Sequence, residues 1–227
     1  ARASQVLVLV FGSIGIGSPE TTTWTSTTAG LANSKHSLPF QEFGRPQFHF
    51  TAARNWLNDP NGLVYYQGEY HLFFQHNPLG RHWGHMSWGH AVSHDLLHWQ
   101  QLHHALLPDR DGDIWSGSAL VDWHNSSGLQ LLGGQPPLVA FYTLSPDGGE
   151  HGRPFEQRLA FSRDSGRKWA KLGSPVVGPG PCEGFCPYAR DPKVVRQGDR
   201  WLMALWLHNH SFALLASADL RSWQRLQ

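Results

Sequence analysis

The sequence predicts an all-β protein, and three observations carry that reading. From Phe48 onward the apolar residues come in short alternating runs separated by turn residues, which is the period of half-buried strands. No segment sustains a 3.6-residue apolar stripe long enough for a helix. A Ser-x-Asp turn followed by Trp recurs after strand-like runs, at Ser93-His-Asp95-Leu-Leu-His-Trp99, Ser162-Arg-Asp164-Ser-Gly-Arg-Lys-Trp169 and Ser217-Ala-Asp219-Leu-Arg-Ser-Trp223.

Taken in order, residues 5–17 form an apolar run of 13 with small residues at its end. That is too short to span a bilayer and resembles the core of a secretory signal. Residues 1–17 are therefore set apart as a signal-like segment, and 18–44, rich in Ser, Thr and Gly, as a linker. The remaining 45–227 make the folded domain. Within it, Trp56-Leu57-Asn58-Asp59-Pro60-Asn61-Gly62 places one carboxylate in a rigid turn. Pro60 fixes its own φ and holds Asp59 extended, and Asn61 and Gly62 supply left-handed positions. An ordinary hairpin turn has the same composition. Residues 63–66 and 70–75 pair across Gly68 as a hairpin, with Tyr70, Leu72 and Phe74 on one face. Further strands are expected at 138–143, 158–162, 201–207 and 212–217. In each Ser-x-Asp repeat the two side chains satisfy backbone donors while the Trp anchors the turn to its sheet. Asp95, Asp164 and Asp219 lie 69 and 55 residues apart. That spacing suits a four-stranded propeller blade with generous loops, about three of them in this chain, although a sandwich with recurrent hairpins would repeat in the same way.

Composition limits the partners. Of 227 residues 40% are apolar and 15% charged, and the net charge is +1 with no basic run, so no footprint for nucleic acid is visible. No membrane span is expected, and no oligomeric state can be read. Eleven tryptophans and five tyrosines in so weakly charged a chain suit core packing and also a neutral polyol ligand, whose C–H faces lie against aromatic rings. Cys182 and Cys186, in Pro181-Cys-Glu-Gly-Phe-Cys-Pro187, lack the spacing and number of a zinc site. A local disulfide and a pair of free thiols both remain open. Asn125 and Asn209 head glycosylation triplets that would matter in a secreted eukaryotic protein.

Six stretches in order then carry a resemblance. The opening heptad is followed by Phe73-Phe-Gln75-His-Asn-Pro78, His82-Trp83-Gly84, Ser87-Trp88-Gly-His90, Trp115-Ser116-Gly-Ser118 and Ala189-Arg190-Asp191-Pro192. From about Phe48 to Gln227 the chain closely resembles glycoside hydrolase family 32, in its levanase, exo-inulinase and invertase group. The resemblance implies a five-bladed β-propeller, of which about three blades are represented here. It also implies a retaining hydrolase that releases terminal β-fructofuranosyl units from fructans or sucrose, with no cofactor and no metal. On the same basis Asp59 would be the nucleophile, Asp191 would grip two ring hydroxyls, and Arg190 would orient the nearby carboxylates through its planar fork. Asn58, Gln75, Trp83, Trp115 and Ser116 would line the fructose subsite. The family often has Phe where Trp115 stands. Its acid–base glutamate lies in a Glu-Cys-Pro motif further beyond Arg-Asp-Pro than Gln227 reaches, and Glu183, which precedes Arg190, does not match it. These residues alone are therefore expected to be nearly inactive on sucrose, inulin and levan, since losing a general acid costs about 10²–10⁴ in rate. The compartment implied is extracellular or vacuolar.

Two other readings compete. One is an inactive fructan-binding relative that keeps Asp59, Asp191 and the aromatic wall. The other is a metal hydrolase built on His82, His85, His90, His94 and His98, although no His-Glu-x-x-His occurs.

Overall fold

In a computed structural model the chain is described for residues 40–146, 152–178, 188–207 and 211–227. The signal-like run, most of the linker, Cys182, Glu183, Cys186 and Asn209 lie outside those residues. Twelve strands make three four-stranded antiparallel sheets, and no helix occurs among the described residues. The first sheet is β1 (Trp56–Tyr66), β2 (Glu69–Asn77), β3 (Ser87–Ser93) and β4 (Trp99–Gln101). The second is β5 (Asp113–Val121), β6 (Leu138–Ser145), β7 (Glu156–Ser162) and β8 (Ala170–Lys171), and the third is β9 (Arg190–Gln197), β10 (Arg200–Leu207), β11 (Ser211–Ser217) and β12 (Gln224–Arg225). In each sheet, sequence neighbours are also hydrogen-bonded neighbours, so every connection is a simple return. The leading strands sit side by side, β1 against β5 and β5 against β9. This is the packing of a partial β-propeller.

The apolar runs bury two faces rather than one. On β6, Leu138, Ala140, Tyr142 and Leu144 face the first sheet, where Ala140, Tyr142 and Leu144 join Phe73 and Trp88 of that sheet and Ile114 of the neighbouring β5 in one cluster. Val139 and Phe141 face the third sheet and meet Val194, Met203, Leu205 and Leu215. A strand sandwiched in this way shows no alternation, which is why it reads as a continuous apolar run. Each fully buried large side chain contributes about 1.5–3 kcal/mol. The outer face of the first sheet is covered by the preceding segment, with Phe50 against Phe74 at 4.9 Å and against Trp99 at 5.9 Å between ring centroids.

The Ser-x-Asp repeat joins the third strand of each sheet to the fourth. Ser93 Oγ accepts the Leu96 N–H at 2.8 Å, Asp95 Oδ1 accepts the amides of Leu97 and His98 at 2.9 and 2.8 Å, and Trp99 Nε1 donates to the Leu96 carbonyl at 3.1 Å. The same set recurs around Ser217, Asp219 and Trp223, and a version one residue longer occurs around Ser162, Asp164 and Trp169, where Asp164 Oδ1 accepts the Lys168 amide. The His98 and Leu97 amides and the His98 ring hold the Asp95 carboxyl well below the ordinary carboxylate range. Two of the sequence-noted histidines are thereby accounted for: His98 Nδ1 meets Asp95 Oδ2 at 2.7 Å, and His94 Nδ1 meets the Gly68 carbonyl at 2.9 Å.

His90 is used differently. It is buried between the first and second sheets, with its Nε2 3.1 Å from Nδ1 of His71. Phe73 stacks on it at 4.4 Å. Burial, then the neighbouring His71 and Arg167, push its pKa down to about 3, and burial likewise lowers that of His71. Both rings are neutral in the native state but take up protons near pH 6.5 when unfolded. Between those limits the unfolded chain binds more protons at His90, so stability falls with falling pH by up to about 1.4 kcal/mol per pH unit, and His71 adds to the fall in the same direction. His90→Gln, which keeps a partner for His71, is expected to flatten the fall of Tm between pH 6.5 and 4. An unchanged slope in thermal melts across that range would refute this account.

Candidate active site

The leading strand of each sheet carries an inserted residue near its N-terminal end, and β1 has a second register shift between Asn61 and Val64. In β1, Asn58 pairs with Gln75 and Pro60 with Phe74, so Asp59 has no partner. In β5 the register jumps between Ile114 and Gly117, opposite Leu144 and Tyr142. In β9 it jumps between Arg190 and Lys193, opposite Trp206 and Ala204. Such bulges re-aim side chains out of the ladder, and here they turn Asp59, Trp115, Ser116 and Asp191 into one cavity of about 340 Å³. Asn58, Gln75, Trp83 and Arg190 line it too. Every site residue named from the sequence is thus brought together.

The expectation that Asp59 sits extended in a tight turn is corrected. Asp59 lies within β1 at φ 32°, and Asp191 within β9 at φ 61°. Both precede proline, which usually favours extended backbone. The inserted residue of a bulge has to leave that conformation, and Asp is one of the few residues that tolerate the left-handed region. Both cavity carboxylates are consequently held in backbone conformations that cost energy, a pattern typical of functional sites.

The neighbours divide the polar atoms. The Ser116 hydroxyl donates to Asp59 Oδ2 at 2.8 Å, and Oδ1 has no hydrogen bond among the described residues. Asn58 Oδ1 accepts from Trp56 Nε1 at 2.7 Å, and its amide nitrogen makes no hydrogen bond among the described residues. Gln75 is 2% exposed, and its Nε2 is buried in the cavity wall with no partner among the described residues. Trp83 and Trp115 meet edge to face at 5.6 Å. The Trp115 N–H is also buried and has no partner among the described residues. Burial raises the Asp191 carboxyl above its ordinary range; Arg190 opposes the shift and Asp59 adds to it. The planar fork expected of Arg190 is not formed. Its Nε stands 3.6 Å from Asp191 Oδ2, and its guanidinium lies over the Trp206 ring at 4.1 Å, so it acts as a stacked charge beside the carboxylates.

Gly117 shows why the motif continues with glycine. A Cβ there would fall 1.9 Å from the Phe141 carbonyl oxygen. Gly117→Ala must separate β5 from β6 and is expected to cost about 3 kcal/mol or more, measurable as a lowered Tm. A melt like that of the unaltered chain would refute the close approach.

A family model described as the N-terminal domain of glycosyl hydrolases family 32 matches residues 49–227. The chain belongs to that family. This family 32 chain is 46% identical over 200 residues to a levanase of Bacillus subtilis, covering 87% of this chain and 28% of the relative. It is 38% identical over 214 residues to an extracellular exo-inulinase of Aspergillus awamori, covering 86% and 40%. The structure of a fructofuranosidase from Schwanniomyces occidentalis complexed with fructose superposes with a TM-score of 0.75 at 34% identity, covering 84% of this chain and 38% of that one. The chain spans well under half the length of each of these proteins.

One family 32 cavity residue went unnamed in the sequence: Met86, 1% exposed, which lines the same cavity. Its apolar character in His82-Trp-Gly-His-Met86 gave no signal separable from core packing. The histidines once considered for a metal do not converge, and no group of three or more metal-ligating side chains occurs among the described residues.

Proposed function

We propose that this cavity is the fructosyl-binding half of a retaining β-fructofuranosidase acting on fructans or sucrose, within a five-bladed propeller to which the three sheets contribute three blades. The observation that carries the reading is Asp59, aimed into the cavity by a bulge with one oxygen held by Ser116 and the other without a hydrogen bond among the described residues. Asp59 attacks the anomeric C2 of the sugar and forms an ester as the bond from C2 to the leaving oxygen breaks. The leaving oxygen takes a proton from an acid, and water later attacks C2 to release Asp59. Asp191 grips two vicinal hydroxyls, more tightly as the ring flattens. Asn58 and Gln75 donate to others, and the two tryptophans exclude water. Asp59 and Asp191 are the carboxylates among the described residues lining the cavity. Retention requires a further carboxylate about 5–5.5 Å from the nucleophile, and we assign it outside this set. Secretion to the extracellular space fits the reading.

A fructosyl donor whose leaving group departs as an anion, such as β-D-fructofuranosyl fluoride, bypasses the acid. Residues 1–227 treated with it are expected to gain one fructosyl group, found by peptide mass analysis on the peptide containing Asp59. No adduct, or an adduct on another carboxylate, would overturn the assignment. Binding of fructose without any adduct would favour the alternative of a fructan-binding relative.

A further inference from the structure

Side chains of the second sheet hold the Arg-Asp-Pro strand of the third, at positions where packing gives no reason for polarity. β6 and β7 present Val139, Phe141 and Leu159 to the third sheet, all fully buried. At the cavity end of the same face the pattern breaks, because Thr143 and Gln157 are cross-strand neighbours there and only 0% and 2% exposed. A buried hydroxyl and amide are costly unless partnered. The Asp191 N–H donates to Thr143 Oγ1 at 3.1 Å, the Thr143 hydroxyl donates to Gln157 Oε1 at 2.8 Å, and Gln157 Nε2 donates to the Ala189 carbonyl at 2.8 Å. On the far side of the bulge the Ser118 hydroxyl donates to the Pro192 carbonyl at 2.8 Å and accepts the Val194 N–H at 3.1 Å. The first sheet holds the second in a parallel way: Trp88 Nε1 donates to the Trp115 carbonyl at 3.0 Å, and Asn61 Oδ1 accepts the Gly117 N–H at 3.2 Å.

We propose that Thr143 and Gln157 are positioning residues for the sugar-gripping carboxylate, their hydrogen-bonded chain fixing residues 189–191 in the left-handed bulge that aims Asp191 into the cavity. The inference rests on the reading of Asp191 as the hydroxyl clamp. A non-glycine residue at φ 61° persists only where its surroundings over-determine it, and the amide of Asp191 is the atom this chain grips. Without the grip, φ relaxes and the carboxylate leaves the cavity for solvent.

Thr143→Val keeps the shape and strands the Asp191 amide, whereas Thr143→Ser keeps the hydroxyl. Three measurements on residues 1–227 test the proposal: amide exchange, fructose affinity by calorimetry, and the carboxyl titration of Asp191 by carbon NMR. For the Val variant we expect about 10-fold faster exchange in the peptide spanning 189–194 with the β1 peptide unchanged, and about 10-fold weaker fructose binding. The Asp191 titration should fall toward the ordinary carboxylate range, and Ser should restore all three. Unchanged exchange at 189–194, or a loss of affinity with the Asp191 titration in place, would overturn the proposal. If the Val variant does not fold, Gln157→Met, which takes the partner from both the Ala189 carbonyl and the Thr143 hydroxyl, is held to the same criteria. Failure of the unaltered chain to bind fructose would instead defeat the reading of the cavity, and the exchange and titration arms would still decide whether Thr143 holds the strand.

Discussion

Asp59→Asn is expected to slow fructosylation of the chain by an activated donor by at least about 10⁴-fold, the scale on which removal of a nucleophile acts. The substitution isolates the charge. Asn tolerates the left-handed backbone that Asp59 occupies at φ 32°, and its side-chain oxygen can still accept from the Ser116 hydroxyl, which now meets Asp59 Oδ2 at 2.8 Å. What is lost is the lone pair that attacks C2 and the negative charge facing an oxocarbenium-like transition state. Tm should therefore stay close to that of the unaltered chain while labelling disappears. Fructose binding should also persist further into acid, because Asp59 is one of the groups that raise Asp191 and its charge would be gone. An Asn variant labelled as fast as the original would remove Asp59 from the chemistry.

The legible and the illegible parts of this fold differ for a physical reason. β10 and β11 were readable because their apolar runs are unbroken, β6 and β7 because theirs are interrupted only toward the cavity end, at Thr143 and up to Arg158, and the Ser-x-Asp turns because two short side chains must meet nearby backbone amides each time. The leading strands β1, β5 and β9 were readable only as motifs. Each contains the bulge that builds the cavity, and an inserted residue destroys the period-two pattern by which a strand is recognised. The conformation of Asp59 was misjudged for the same reason: Asp-Pro-Asn-Gly has the composition of a turn, and only pairing with β2 shows that it lies inside a strand. Contacts between sheets left no local trace. Thr143 and Asp191 are far apart in sequence, and nothing around Thr143 announces that its hydroxyl meets the backbone of another strand.

Asp191→Asn carries the second large effect, in opposite directions for binding and stability. Two charge-assisted hydrogen bonds to vicinal hydroxyls are worth about 1.5–3 kcal/mol each, so fructose affinity should fall by about 10²–10⁴. Stability should rise slightly, since the Asp191 side chain is 49% exposed and water screens much of its charge. Burial, helped by the charge on Asp59, lifts the folded-state pKa of Asp191 above its ordinary value, and Arg190 beside it does not cancel the shift. Between the ordinary and the raised values the native state binds more protons than the unfolded chain, so stability falls as pH rises through that window, and the full cost remains at neutral pH. Below it, Asp191 is protonated in both states and costs nothing of this kind. The Tm difference between the Asn variant and the unaltered chain should accordingly be near zero at the acid end, open as pH rises past the ordinary carboxylate range, and level off by neutrality. Asn also tolerates φ 61°, so the backbone term is the same on both sides of the comparison. A gain in Tm with a loss of fructose binding would show a carboxylate kept at the expense of the fold, as sites that bind through a destabilised charge require. Unchanged affinity together with an unchanged Tm would mean that Asp191 neither grips the sugar nor resists its burial, and the cavity would lose its clamp.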